Sequence, residues 1–152
     1  MNAKSKGAGF TLIELIIVII IIGILATFAM PAFMVTKEKT LTKEAIVNLK
    51  LIAAAEKVWR IESVDNTYTL CNCTTPANCN AAPPPAPGGC NYLLKLNLNT
   101  QNWTYSVANV TLGPPPTFTA TAVRTAGPYA GCTFTITETT PGDPPQTGGT
   151  CP

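Results

Sequence analysis

The amino-acid sequence predicts an α+β protein. A long N-terminal α-helix, apolar enough in its first half to span a membrane, is expected to pack against a small antiparallel β-sheet head with disulfide-rich loops. Three observations lead to this prediction. An uncharged apolar run lies near the N-terminus and is followed by apolar residues at helical spacing. Three later segments alternate apolar and polar residues, and six cysteines lie among turns rich in proline and glycine.

The apolar run is long enough to cross a membrane. No charged residue lies between Leu15 and Thr36, a stretch of about 22 residues, and a transmembrane helix needs about 20. Lys4 and Lys6 precede the run, so we expect the N-terminus in the cytoplasm and the body of the protein outside. Residues 10–34 are therefore predicted to be the transmembrane half of the helix. The run is longer than the apolar region of a signal peptide, roughly 7 to 15 residues, which argues against that alternative.

Charged residues return after Met34, and the pattern changes from wholly apolar to amphipathic. Apolar side chains now recur mostly three, four or seven residues apart: Leu41, Ala45, Leu49, Ile52, Ala53 and Trp59. Residues 35–63 are therefore predicted to continue the helix with one apolar face, and most of their charges are expected on its solvated side. A single helix from Phe10 to about Ser63 would be near 80 Å long at roughly 1.5 Å per residue.

Residues 64–152 are predicted to form a globular head. The segments 103–107, 118–124 and 134–138 alternate large apolar with small polar residues, as antiparallel strands with one buried face do. Residues 93–98 are a further short apolar segment. The apolar faces of the strands need a cover, and we expect the apolar side of the long helix to provide it.

Composition narrows the possible functions. The chain has no histidine, the side chain that most often serves as a general base or a metal ligand, and no nucleophile–base pair is evident. No catalytic residue, metal or cofactor is therefore predicted. Without Lys4 and Lys6, eight basic residues face eight acidic ones, and so neutral a body argues against nucleic acid as a partner.

Residues 64–92 form a cysteine-rich loop with four cysteines: Cys71, Cys73, Cys79 and Cys90. Their spacing includes no C-x-x-C pair, which argues against zinc, and the haem attachment signature C-x-x-C-H is also missing. Outside the membrane, two disulfides are expected. A bridge between Cys71 and Cys73 would be strained. Two arrangements remain open, namely 71–90 with 73–79, or 71–79 with 73–90.

Glu14 is the one carboxylate at the start of the apolar run. An ionised group inside an apolar layer costs a few kcal/mol, so a partner is expected. Cleavage of the chain after Gly9 would create a new α-amino group on Phe10. In a stack of copies, the Phe10 amine of one copy can meet the Glu14 carboxylate of its neighbour. Such a pair would fix the axial register between copies.

These residues carry a family resemblance. The segment Gly9-Phe10-Thr11-Leu12-Ile13-Glu14-Leu15 resembles the cleavage and methylation site of type IV prepilins and of type II secretion pseudopilins. The resemblance implies that residues 1–9 are a leader, removed by a prepilin peptidase that also N-methylates Phe10. Gly23 and Pro31 fall where type IV pilins carry helix-weakening residues, and both residue types reduce helix stability.

The resemblance also implies partners and locations. The precursor is expected in the bacterial inner membrane, in contact with lipid, with its N-terminus cytoplasmic and its head outside. An inner-membrane assembly machine would then extract it into an extracellular pilus filament, a helical homopolymer of this chain. Glu14 fits a major subunit, one that forms the body of the filament.

Type IV pilins often carry a C-terminal loop bounded by a disulfide, so the resemblance implies a bridge between Cys132 and Cys151 that closes the loop 132–151. Closing about 20 residues would add roughly 3 kcal/mol. The major pseudopilin instead carries an acidic calcium site near its C-terminus, where this chain has only Glu138 and Asp143. We therefore expect a type IV pilus subunit. A secretion pseudopilin is the alternative, and a membrane-anchored extracellular binding module is less favoured.

Overall fold

The computed structural model describes residues 9–83, 87–111, 113, 115–140 and 142–152. Residues 1–8 of the predicted leader, which include Lys4 and Lys6, lie outside the described part. The chain divides into two units, one ending at Glu38 and the other running from Lys39 to Pro152. The predicted fold class is confirmed, with a long N-terminal helix, a five-stranded antiparallel sheet and disulfide-bonded loops.

The secondary structure follows the sequence pattern closely. The elements are α1 (Leu12–Glu62), β1 (Cys71–Cys73), α2 (Pro76–Cys79), α3 (Cys90–Leu93), β2 (Trp103–Thr111), β3 (Thr117–Arg124), β4 (Thr133–Thr137) and β5 (Gln146–Gly148). The single helix begins two residues after its predicted start and ends one residue before its predicted end. The three predicted strands correspond to β2, β3 and β4. The short strands β1 and β5, and the single-turn helices α2 and α3, were not predicted.

The five strands form a meander in chain order, β1-β2-β3-β4-β5, and each neighbouring pair is antiparallel. Buried and partly exposed side chains alternate without exception along β3 and β4. The register of β2 against β3 shifts between Ala108 and Thr111, and Asn109 there has a φ of 52°. Asparagine tolerates this left-handed conformation better than most residues, which explains how the irregularity is accommodated.

The amphipathic half of α1 and the sheet share one core. Ala45, Leu49 and Ile52 are fully buried and belong to the same cluster as the sheet residues Trp103 and Phe118. The predicted cover of the sheet by the helix is therefore present within the second unit. A hydrogen bond reinforces the packing, because the Asn48 side-chain amide donates to the Tyr105 hydroxyl at 2.8 Å.

The disulfides are Cys71–Cys90, Cys73–Cys79 and Cys132–Cys151, and no cysteine is left free. Of the two arrangements that the sequence left open for the loop, the structure has the first. Local structure explains the choice. Asn72 in β1 donates its N–H to Gly88 and forms a bridge with Gly89, which brings Cys90 beside Cys71. The short helix α2, capped by the Thr75 side chain, returns Cys79 toward Cys73.

Glu56 departs from the expectation that charges on this half of α1 are solvated. Its side chain is fully buried. One carboxylate oxygen, Oε2, accepts the backbone N–H of Thr69 at 2.9 Å, and the other has no hydrogen-bond partner among the described residues. Burial raises the pKa of Glu56 to about 7, and the bond from Thr69 opposes this shift.

A second polar cluster ties the end of α1 to the sheet. The Arg60 guanidinium donates to the Tyr68 hydroxyl at 2.8 Å and lies over the Tyr68 ring, 5.3 Å from its centre. The Tyr68 hydroxyl donates in turn to Glu138, just after β4, and Arg60 lies 3.6 Å from the same carboxylate. Burial, with the hydrogen bond to Glu138, raises the pKa of Tyr68 to about 12, so the phenol stays protonated as a donor.

The raised pKa of Glu56 predicts that this residue makes the head less stable as the pH rises. The folded protein keeps the Glu56 proton between pH 4.5 and about 7, where the unfolded chain has lost it. The contribution of Glu56 to stability is therefore greatest below pH 4.5 and falls as the pH rises toward 7. We expect Glu56→Gln to match the wild type near pH 4, where both the folded and the unfolded chain keep the Glu56 proton, and to be more stable near pH 8.

Urea unfolding of the detergent-solubilised chain, followed by tryptophan fluorescence, measures this difference. The control is Glu62→Gln, which changes an exposed glutamate on the same helix. Equal pH dependence in the wild type and in Glu56→Gln would contradict the assignment.

Candidate processing and assembly site

The first part of α1 carries a continuous exposed apolar surface. Every leucine, isoleucine, valine, phenylalanine and methionine from Phe10 to Val35 is exposed. Soluble monomers rarely expose apolar patches larger than a few hundred Å², and larger ones mark contacts with membranes or other proteins. Among the described residues, α1 is the one helix whose length and composition suit a membrane span. This segment therefore needs lipid or other chains around it.

The helix begins with a reciprocal cap made by Thr11 and Glu14. Glu14 Oε2 accepts the backbone N–H of Thr11 at 2.9 Å and its hydroxyl at 2.7 Å. The backbone N–H of Glu14 donates back to Thr11 Oγ1 at 3.3 Å. This is a capping box, in which the residue before the helix and the third helical residue satisfy each other's free N–H groups. Glu14 thus has a local structural role as well as its expected role between copies.

Thr11 is a residue that the sequence prediction did not single out. Its signal was present, because Thr11-Leu12-Ile13-Glu14 has the Thr-x-x-Glu spacing of a capping box ahead of an apolar run. The cap also leaves one carboxylate oxygen available. Among the described residues, Glu14 Oε1 accepts no hydrogen bond and Glu14 forms no ion pair.

The junction between Gly9 and Phe10 precedes the helix and is open to solvent. Phe10 is 82% exposed, and a Cβ added at Gly9 would meet no atom within 4 Å. A peptidase must bind the chain on both sides of the bond it cuts, so an accessible non-helical junction suits cleavage. Phe10 lies two residues before the start of α1, and Glu14 lies in the first turn of that helix.

Gly23 and Pro31 both lie inside α1, which is continuous through them. Proline has no N–H, so the carbonyl of Thr27 lacks its usual helical donor. The Thr27 hydroxyl donates to the Ile24 carbonyl at 2.7 Å, a bond within the same turn that tends to bend helices slightly. The stretch from Gly23 to Pro31 is thus helical in this state, with weaker backbone support than an ordinary helix.

The carboxylates near the C-terminus are engaged with cations of the same chain. Glu138 lies against Arg60, and Asp143 forms an ion pair with Lys50. Within the described ranges, no three or more Cys, Asp or Glu side chains gather in a way that could hold a metal ion. The six cysteines all lie in the second unit as disulfides.

Comparisons with known proteins match part of the chain. Residues 4–30 match the family described as the prokaryotic N-terminal methylation motif. The type IV major pilin protein PilA of Myxococcus xanthus is 48% identical over 54 residues, which is 36% of this chain and 24% of that protein. The type II secretion system core protein G of Escherichia coli is 35% identical over 63 residues, 41% of this chain and 43% of that protein.

The corresponding core protein G of Vibrio cholerae is 32% identical over 63 residues, again 41% of this chain and 43% of that protein. The matched segment covers less than half the length of each of these relatives. No solved structure matches the chain. The exposed apolar helix, the Gly9–Phe10 junction and these matches agree with one another. The chain is a pilin-like or pseudopilin-like protein that carries the N-terminal methylation motif.

Proposed function

We propose that this chain is the major structural subunit of a type IV pilus. In this proposal it is cleaved after Gly9, N-methylated on Phe10 and polymerised through its N-terminal helix. The observation that carries the proposal is the position of Glu14, a carboxylate with one unpaired oxygen on the first turn of a wholly exposed apolar helical segment.

Charge balance explains why cleavage and assembly belong together. Thr11 satisfies Oε2 of Glu14, but a hydroxyl and an N–H do not neutralise a carboxylate that is buried among apolar helices. Cleavage after Gly9 supplies the missing cation as the α-amino group of Phe10. When the Glu14 carboxylate of one copy meets the Phe10 amine of its neighbour, both charges are compensated and the axial register is fixed.

The proposed route begins in the bacterial inner membrane. The apolar segment lies in lipid, the N-terminus faces the cytoplasm and the head folds outside, where its disulfides form. A prepilin peptidase and methyltransferase processes the junction, and an inner-membrane assembly machine moves the mature chain into the extracellular filament. Weak helical support between Gly23 and Pro31 makes that stretch the expected place for the helix to unwind on assembly.

Two features of the head support a pilus subunit. Cys132 and Cys151 bound a C-terminal loop, an arrangement common in type IV pilins. Glu138 and Asp143 face Arg60 and Lys50 of the same chain, whereas a calcium site would need several carboxylates turned toward one point.

A pseudopilin of a type II secretion system is the second candidate. It is favoured by the similarity to core protein G of such systems, at 35% and 32% identity in two organisms. Imaging of material sheared from the cell surface separates the two functions. Long fibres built from this chain are expected for a pilus, while their absence together with a secretion defect on deletion would overturn the proposal in favour of the pseudopilus.

Processing gives a direct prediction at the junction. The mature surface protein should begin with N-methylated Phe10, as measured by N-terminal sequencing and mass spectrometry. Gly9→Leu should leave the leader attached, because a bulky side chain at the cut hinders the peptidase, whereas Gly9→Ala is a small change and should still be cut. An intact Met1 on the wild-type surface protein would refute the proposal and favour a membrane-anchored binding module.

Glu14→Ala tests the pairing of charges. We expect normal membrane insertion but a fibre yield lowered by about tenfold or more, because the Phe10 amine of the neighbour would be buried without its partner. Quantitative immunoblots of membrane and sheared fractions measure both. Ile13→Ala, a truncation at the adjacent exposed position, serves as the control. Normal fibre yield in Glu14→Ala would rule out the pairing role.

A further inference from the structure

The amphipathic half of α1 has two apolar faces, and the head uses only one of them. The face toward the sheet includes Ala45, Leu49 and Ile52, which are fully buried. A second set of apolar residues is exposed and recurs at alternating spacings of four and three: Val47, Leu51, Ala54, Val58 and Ile61. At about 100° per residue, this set lies opposite the buried face. We call it the outer stripe.

The spacing of the outer stripe is that of a helix seam that packs against another helix. Apolar residues at alternating steps of three and four keep one narrow line along an α-helix, the pattern of coiled-coil core positions. The packing of the head does not explain this line, because the head core is complete on the other side of α1.

Charges of opposite sign border the outer stripe on its two sides. One border is basic, with Lys43, Lys50 and Lys57 placed seven residues apart, and the other border carries Glu44 and Glu62. Lys50 is ion-paired with Asp143 of the same chain. In the part of the chain that the structure describes, the other four side chains form no ion pair.

The charge pattern distinguishes between the possible occupants of the stripe. An anionic membrane surface would attract the lysine border but repel the glutamate border, and helices that lie on membranes are typically basic along their polar face. A second copy of this chain offers both signs. In parallel helices the lysine border of one copy faces the glutamate border of the next, whereas antiparallel helices would place like charges together.

We propose that the outer stripe is a contact surface for a second copy of this chain, packed parallel, with the lysine border of one copy against the glutamate border of the next. This inference rests on the proposed function as a homopolymer and adds a second contact to it, separate from Phe10 and Glu14. The contact lies on the head unit, so it also determines which way neighbouring heads face.

Substitution of two similarly exposed leucines, one on the outer stripe and one away from it, tests the apolar contact of the outer stripe. Leu51 on the stripe and Leu70 on the loop after α1 are similarly exposed, at 46% and 50%. Leu51→Glu should lower fibre yield by at least about tenfold, because a carboxylate would be buried against apolar side chains, and Leu70→Glu should not. Intact disulfides on non-reducing gels verify folding. Equal fibre yields from the wild type and Leu51→Glu would overturn the proposal.

Reversing the charges of the lysine and glutamate borders tests, independently of the leucine variants, whether the two borders pair between copies. Lys43→Glu with Lys57→Glu makes the lysine border mainly acidic, because the remaining Lys50 is ion-paired with Asp143. Glu44→Lys with Glu62→Lys makes the glutamate border basic. In each double variant the two borders then carry mainly the same sign of charge, so each should assemble poorly alone. The two double variants made in one cell should assemble together, because acidic borders then meet basic ones. The fourfold variant restores opposite borders and should assemble alone. Failure of both rescues would overturn the proposal.

The outcomes also separate this inference from the proposed function. If the wild type carries methylated Phe10 and forms fibres that Leu51→Glu and the border variants form equally well, the function stands and the outer stripe is not a contact. If the wild type forms no fibres, the function itself fails and the inference fails with it. If Leu51→Glu loses membrane retention but assembles normally from the chain retained, the stripe faces lipid and the inference is wrong.

Discussion

The exposed apolar surface from Phe10 to Val35 is the constraint on which the rest of the molecule depends. Its apolar side chains are exposed, and lipid or other chains around them would lower the free energy of that surface. Glu14 places a charge at the start of the same surface. The carboxylate is unfavourable in lipid, and the many isoleucines are unfavourable in water. Neither environment alone therefore suits the whole segment.

The helix resolves this constraint by changing character along its length. Its first part has no face reserved for the head, while its second part gives one face to the sheet through Ala45, Leu49 and Ile52. Polar contacts then secure the point where the chain leaves the helix. Glu56 holds the backbone of Thr69, and Arg60 reaches Glu138 through Tyr68, so the turn after α1 is joined to both the helix and the sheet.

Much of this architecture could be predicted from the sequence because it rests on periodic patterns. The apolar run and the spacing after Met34 indicated one continuous helix, and strict alternation indicated β2, β3 and β4. The strands β1 and β5 have three residues each, too few for a period to emerge. The disulfide pairing depended on the short helices α2 and α3, whose formation depends on caps and turns rather than on a repeated pattern.

The candidate site and its surroundings also contain some residues whose roles could be predicted from the sequence and others whose roles could not. The Gly9–Phe10 junction and Glu14 could be recognised because a short motif contains them, and the sequence also held the signal for the cap by Thr11. The burial of Glu56 could not be recognised, since a glutamate among lysines on an amphipathic helix is normally solvated. Its environment arises only when residues 67–69 fold back over the helix.

The edges of the sheet have a consequence for the proposed filament, in which copies of the chain would lie close together. An open sheet edge offers free N–H and C=O groups to any neighbour, and packed copies could then pair strand to strand in many registers. Here both edge strands are only three residues long and lie next to disulfides, with Cys71 and Cys73 inside β1 and Cys151 shortly after β5. Edge strands that are so short and are held by disulfides are poor templates for such pairing, which favours the helix as the main contact between copies in the proposed filament.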